Sequence, residues 1–383
     1  MILIKNGTVH IGTGEVFENC DVLIDNGKIR SVRESIDIDN VAIINATGKH
    51  VFPGFIDPVC GLGCFDLSSK INDNDEITNP VTIEMNIKYS FNPQEMELQK
   101  IYKSGITTVG ASPGNSNIIG GQMAAFKTKG LNSKKMLVKE FVGLKCSVIN
   151  LIKDAYGAKN IFPKTKMGIF NVLKTQFEEA KEYSLEEIPE RVDDRKEILK
   201  KVLNREMTLF VTANDKVEID SLIYVLKEYD LNLVICNAYQ ADRCFDSIVD
   251  SGASLVLGEH IYLSRLIYNE TDLSRIVKLE EAGVPMAISM SSDTMSAGRE
   301  QFLWNAINWY RAGINSEKII EMITLNPAKM LGVADTLGSI EIGKEADIVI
   351  FENDPIKYYN AKLSYTIISG EIAYSALEEE SCC

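Results

Sequence analysis

The chain has 383 residues, 45% hydrophobic and 25% charged, a composition of soluble globular proteins that excludes disordered and fibrous classes. Forty basic residues against 54 acidic ones give a net charge of −14, a field that repels phosphate backbones and excludes nucleic acid as an expected partner. No run approaches the roughly 20 apolar residues of a membrane span, and the N-terminus lacks the apolar stretch of a signal peptide. A cytoplasmic protein with no membrane partner is expected.

Residues 1–50 read as short strands and turns. A Gly12-Thr13-Gly14 turn follows the first strand, and Asn26-Gly27 between apolar runs is a strong hairpin signal. Eight short β-rich runs then alternate with longer segments: VFPGFID at 51–57, ITTVG at 106–110, MAAFKT at 123–128, MLVKEFV at 136–142, TLFVT at 208–212, NLVIC at 232–236, ASLVLG at 253–258 and PMAISM at 285–290. Eight strands separated by helices predict a parallel barrel. The charged stretch from Glu178 to Glu206 reads as a solvated helix pair. Phe302, Leu303, Ala306, Ile307 and Tyr310 recur at helical spacing, and Asn326-Pro327 opens a helix that Gly332 ends. Residues 338–374 return to short strands, with turns at Gly343-Lys344 and Ser369-Gly370. Neither end is long enough to bury a good core alone. The expected fold is therefore α/β: a (β/α)8 TIM-like barrel over 51–335, plus a composite β-sandwich domain built from 1–50 and 336–383.

Two motifs carry a family resemblance. Pro53-Gly54-Phe55-Ile56-Asp57 at the end of the first barrel strand resembles the opening signature of metal-dependent amidohydrolases. Thr324 to Lys329 followed by Gly338 to Val349 is similar to the closing signature of that superfamily, and the segments Asn117 to Gln122, Gly143 to Lys145 and Tyr156-Gly157 resemble its imidazolonepropionase-like branch. The resemblance spans the chain and implies the barrel, hydrolysis of non-peptide C–N bonds, and divalent metal ligands at the strand ends.

The ligand positions implied by that resemblance carry other residues. Two histidines expected after PGFID are Val59 and Gly61, a histidine pair after the fifth strand reads Thr212-Ala213-Asn214, and the sixth-strand histidine is replaced by Asn237. Neutral oxygen donors bind zinc far more weakly than imidazole. The catalytic aspartate after the eighth strand is kept as Asp293, the resemblance implying metal binding and general-base work for it. The bridging position on the fourth strand, a glutamate or carbamylated lysine in the family, leaves Glu140 and Lys145 as alternatives. Of the three histidines, His10 falls in the small domain and His50 just before the barrel, so only His260, after the seventh strand, is a site candidate. Eight irregularly spaced cysteines read as reduced thiols, and Cys60-x-x-x-Cys64 is a weak zinc signal. Cys60, Cys64 and Cys236 are expected to alternate away from the ligand positions.

Bound zinc lowers the pKa of water from 15.7 to about 7, worth on the order of 12 kcal/mol. General-base help from Asp293 alone contributes only about 10²–10⁴-fold. The expected function is therefore a catalytically impaired homologue, a pseudoenzyme without a metal or other cofactor, that binds a small polar or nitrogenous molecule through Thr212, Asn214, Asn237 and Asp293. The alternatives are a working C–N hydrolase with an atypical zinc, manganese or magnesium site on Asp293 and Glu140, and a structural or regulatory subunit like the dihydropyrimidinase-like proteins. A homo-oligomer is expected.

Overall fold

The computed structural model describes residues 1–65, 72–185, 192–258, 271–290 and 301–377. Its strands form two sheets. The end sheet begins with β1 (Ile2–His10), β2 (Val16–Asp25), β3 (Lys28–Arg33), β4 (Ala42–Asn45) and β5 (His50–Pro53). The barrel sheet contains β6 (Phe55–Cys60), β7 (Ile106–Ala111), β8 (Ile119–Lys127), β9 (Leu137–Ser147), β10 (Thr208–Ala213), β11 (Leu233–Asn237), β12 (Ser254–Leu257) and β13 (Met286–Ile288), hydrogen-bonded in that order. The chain then returns to the end sheet with β14 (Ile348–Phe351), β15 (Leu363–Ile368) and β16 (Glu371–Ser375). There β14 lies antiparallel to β5, pairing Ile348 with Pro53 and Phe351 with His50, so both ends of the chain complete one sheet.

The barrel and the separate end sheet are the expected architecture, with two local differences. The run at 51–57 is two strands rather than one, because Gly54 breaks it and its N–H donates to the Asp347 carbonyl at 2.8 Å. A side chain at 54 would lie 2.2 Å from Thr107 Oγ1, so the close passage of the two strands requires glycine. The second difference is direction: β8 runs antiparallel to both β7 and β9. Only residues 112–118 and 128–136 connect these strands, too little chain for the crossover that a parallel pair needs.

Helices cover the outer face: α1 (Lys166–Ser184), α2 (Asp194–Leu203), α3 (Lys216–Leu226), α4 (Phe245–Ser251), α5 (Leu273–Glu281), α6 (Gln301–Ala312) and α7 (Ser316–Ile323), while Ala328 and Met330 of α8 (Leu325–Met330) pack with the interior strand residues. In α1, Ile169, Leu173, Phe177 and Ala180 recur at helical spacing and are buried, and Thr165 caps the first turn by accepting from Gly168 N. Strand residues alternate between this outer layer, with Leu209, Val211, Ile235 and Leu255, and an interior layer, with Ile56, Phe210, Val234, Val256 and Ala287. No helix among the described residues is long and apolar enough to cross a membrane.

A buried ion cluster joins the two sheets. Lys127, the last residue of β8, donates to Asp347 at 2.8 Å and lies 2.7 Å from Glu345. Asp347 also accepts from Ser369 N at 2.8 Å. Burial alone would depress the Lys127 ammonium, but the Asp347 and Glu345 carboxylates outweigh it and hold its pKa above the ordinary lysine value. The lysine's contribution is therefore present at neutral pH and is lost as pH rises past the unfolded lysine pKa of about 10.4 and through the raised folded value. Lys127→Met should cost about 3–5 kcal/mol in denaturant unfolding at neutral pH, because it strands the buried Asp347 carboxylate. The double variant with Asp347→Asn should cost less than the sum of the two single changes.

Candidate functional site

The C-terminal ends of β9 and β10 build one wall of the barrel mouth. Gly143, Lys145 and Ser147 share one face of β9, since a side chain at 143 would strike the interior Phe210 ring at 2.5 Å and Lys145 reaches Thr212. Residues 210 and 212 stand beside 145 and 147 in parallel register. Lys145 is fully buried. Its Nζ donates to Thr212 Oγ1 at 2.8 Å, to the Cys146 carbonyl at 3.3 Å, and to Asn115 Oδ1 on the loop between β7 and β8. Ser147 is equally buried, yet its Oγ has no hydrogen-bond partner.

The segment before β7 and the loop after it close over this wall. Asn117 Nδ2 donates to the Glu76 carbonyl at 2.7 Å and to Thr82 Oγ1 at 2.9 Å, while the Tyr156 hydroxyl donates to Asn117 Oδ1. Burial, with help from Asp75 and Glu76, pushes the Tyr156 phenol up, which keeps it a neutral donor. Ser116 Oγ donates to Asp75 at 2.5 Å. Three segments that resemble the imidazolonepropionase-like branch, at 117–122, 143–145 and 156–157, are thus neighbours at the mouth.

On the next strands Asn237 Nδ2 donates to Asn214 Oδ1 at 3.2 Å. Asn237 and Ala238 both have positive φ, 66° and 47°, so the backbone leaves strand geometry at the candidate residue. Glu218, inside the capping box of α3, accepts from Asn214 N at 2.8 Å and Asp215 N at 3.1 Å, which fixes the turn that carries Asn214.

Asp57 is fully buried and accepts from Val59 N at 3.2 Å and Met290 N at 3.1 Å. Ser289 Oγ donates to the Val59 carbonyl at 2.6 Å. Burial raises the Asp57 carboxyl to about 7, although the Ser289, Met290 and Val59 hydrogen bonds oppose it.

The structure brings Lys145, Thr212, Asn214 and Asn237 to the mouth but not Glu140. Three residues before the β9–β10 pairing begins, Glu140 is partly exposed and ion-paired with Lys88. Of the two bridging alternatives only Lys145 points inward. Asp293 and His260 lie outside the described residues. His10 and His50 are far from these groups in role: His10 Nδ1 meets Glu317 of α7 at 3.0 Å and its Nε2 meets His50 Nδ1 at 3.0 Å. Cys60 and Cys64 pack in the outer layer as expected, whereas Cys236 packs inside with Val234 and Val256. The strand alternation points 234 and 236 inward, and it is Asn237 that departs from it. Burial pushes the Cys236 thiol up to about 12, leaving it protonated.

Asn115, Ser147, Tyr156 and Asp75 join the site without having been singled out as site residues. Tyr156 lies in a segment that carries the family resemblance, and Ser147 stands two residues after Lys145 on the same strand.

Among the described residues, the groups at the expected ligand positions do not fit a metal held by imidazoles. Val59 packs in the apolar interior layer, and a side chain at Gly61 would lie 2.7 Å from the Phe65 ring, which fills that space. Thr212 is committed to Lys145. Among the described residues no three His, Cys, Asp or Glu side chains are grouped so as to hold an ion.

Comparison with known proteins agrees with the fold. Residues 97–373 match the amidohydrolase family. Among solved structures, an amidohydrolase from Thermotoga maritima MSB8 is 29% identical with a TM-score of 0.89, covering 98% of this chain and 100% of its own. An adenosine deaminase from Xanthomonas campestris with bound zinc shares the fold at 14% identity, TM-score 0.60, covering 98% and 93% of the two chains. The imidazolonepropionase of Thermoplasma acidophilum is 28% identical over 141 residues, 35% of this chain and 33% of that enzyme, so the match spans about a third of that curated relative's length.

Because the raised Asp57 carboxyl favours the folded state only when protonated, its contribution is fully present below the unfolded pKa of 3.8 and is lost as pH rises through about 7. The full excursion is on the order of 4 kcal/mol. In urea unfolding across that interval, Asp57→Asn should flatten this decline; an unchanged slope would assign the pH dependence elsewhere.

Proposed function

The chain belongs to the amidohydrolase family, and within it we propose a catalytically impaired member that binds a small polar molecule at the barrel mouth without a metal. Relatives in this family hydrolyse carbon–nitrogen bonds, and zinc is bound in structures of the same fold. The observation that carries the proposal is the setting of Lys145. A metal-bridging lysine must lose a proton and add a carboxyl group at Nζ. Here Nζ lies within hydrogen-bond distance of three acceptors, as many as an ammonium has N–H bonds. Adding a carboxyl group would displace Asn115 and Thr212. The lost imidazoles at 59, 61, 212, 214 and 237 point the same way, since no strong zinc donor stands at any of them.

What remains is a polar cup. The Asn214 and Asn237 amides and the Thr212 hydroxyl, braced by Lys145, supply polar groups above an apolar floor of Phe210, Cys236 and Val256. Asp293 would serve in this reading as a binding carboxylate at the mouth. It lacks the roughly 12 kcal/mol of water activation that a zinc ion supplies.

Metal content tests the proposal directly. Untagged protein grown with ample zinc, manganese and iron should carry far less than one ion per chain by elemental mass spectrometry. About one ion per chain, lost on Lys145→Met, would overturn the proposal and restore metal-dependent C–N hydrolysis, with Asp293 as general base, as the leading function.

A further inference from the structure

We propose that His10 and His50 form a pH-operated joint between the end sheet and helix α7, closed while the pair holds no more than one added proton and opened by the second. Neither histidine belongs to the barrel mouth. Three side chains run as a chain of hydrogen bonds across the junction. Both carboxylate oxygens of Glu317, on α7, lie 3.0 Å from Nδ1 of His10, the last residue of β1. His10 Nε2 in turn lies 3.0 Å from Nδ1 of His50, the first residue of β5. His10 is 2% exposed, and its ring stacks on Phe52 with centroids 4.2 Å apart and planes 19° from parallel, which holds the imidazole in that orientation.

The geometry dictates where the protons sit. An ionised carboxylate only accepts, so His10 Nδ1 carries a hydrogen. In a neutral His10 the Nε2 is then a bare acceptor. His50 Nδ1 must be the donor to it, which leaves His50 Nε2 bare. One added proton is absorbed without loss of a bond. It settles on His50 Nε2, or on His10 Nε2 while the His50 hydrogen moves from Nδ1 to Nε2, and the Glu317 carboxylate balances its charge. A second proton puts an N–H on both facing nitrogens and a positive charge on each ring, so neither can accept. The other charges facing His50 among the described residues are Asp354 and Lys357, which follow β14, act on it in opposite directions and pair with each other at 3.0 Å. Burial, and then the charge of His10, hold the His50 imidazole below its ordinary value of 6.5. A folded value below the unfolded one means that this contribution to stability is present above 6.5 and is lost as pH falls through the folded value.

The first test reads the rings in the unaltered full chain, whose three histidines keep 15N-histidine spectra simple. At about pH 9, above the ordinary imidazole range, His10 and His50 should both carry their hydrogen on Nδ1. On acidification the pair should titrate in two steps more than about one pH unit apart, with the coupling across the His10–His50 hydrogen bond vanishing only at the second. A His50 ring with its hydrogen on Nε2 in the alkaline spectrum, or both rings titrating in one step, overturns the proposal. His50→Asn gives a second measurement, because an amide N–H near the Nδ1 position donates to His10 without titrating. In urea unfolding the wild-type chain should lose stability relative to His50→Asn as pH falls below about 6.5. The Asp57 contribution is common to both chains and drops out of that difference. A difference that does not change with pH overturns the joint. Should the variant fail to fold, the spectra of the unaltered chain decide alone.

Discussion

The barrel is closed by side chains at one seam, and the Asp57 carboxylate is the group on which that closure turns. The ladder runs from β6 to β13 without a backbone pairing between these two ends among the described residues. Asp57 spans the gap by accepting from Met290 N, and Ser289 answers by donating to the Val59 carbonyl. A carboxylate is suited to this because each oxygen takes one of the two backbone N–H groups that have no strand partner there. The cost is a buried ionisable group, visible in its raised pKa. A site whose first and last walls meet through one carboxylate ties the geometry of the mouth to that residue.

In the proposed metal-free site, charge at the mouth follows a different logic from that of a metal centre. A divalent ion concentrates two positive charges on one atom and fixes its ligands by coordination. In this chain the interior polar groups are held by ordinary hydrogen bonds, with Lys145 braced by strand, loop and neighbouring strand. In the proposed metal-free state such a site orients a ligand without a comparable means of ionising water. The thiols at the same level do not alter this, because burial holds the Cys146 and Cys236 groups up to about 12.

Much of this was legible in the sequence where a local rule has only one solution. The Asn26-Gly27 turn joins β2 to β3 as a hairpin, with Asp25 paired to Lys28. The PGFID and closing motifs marked the start of the barrel and the return to the end sheet. Other features depended on geometry that residue identity does not carry. Whether Glu140 or Lys145 faces inward depends on pleat phase and on where β10 begins to pair, and a bulged register between β8 and β9 hides that phase. The reversed β8 could have been inferred from the short connections around it, but eight β-rich runs in a row resemble a regular parallel barrel. Cys236 was assigned outward because Asn237 was taken as the continuation of the strand, whereas its positive φ ends the strand there. Ser147 belongs to no motif and is marked by its place two residues after Lys145 and by its missing partner.

The pairing of β5 with β14 also sets an order of events during synthesis. Roughly 300 residues separate His50 and Phe351, which end as neighbours, and contacts of such long range form slowly. While the barrel is being made, β5 has an open edge of unpaired backbone groups, the kind of edge that invites association with other chains. Lys127 meanwhile enters an apolar setting before Asp347, its counter-ion, has been translated. The segment 345–351 thus supplies both the covering strand and the neutralising charge, so the two sheets become complete together and only once that segment has been made.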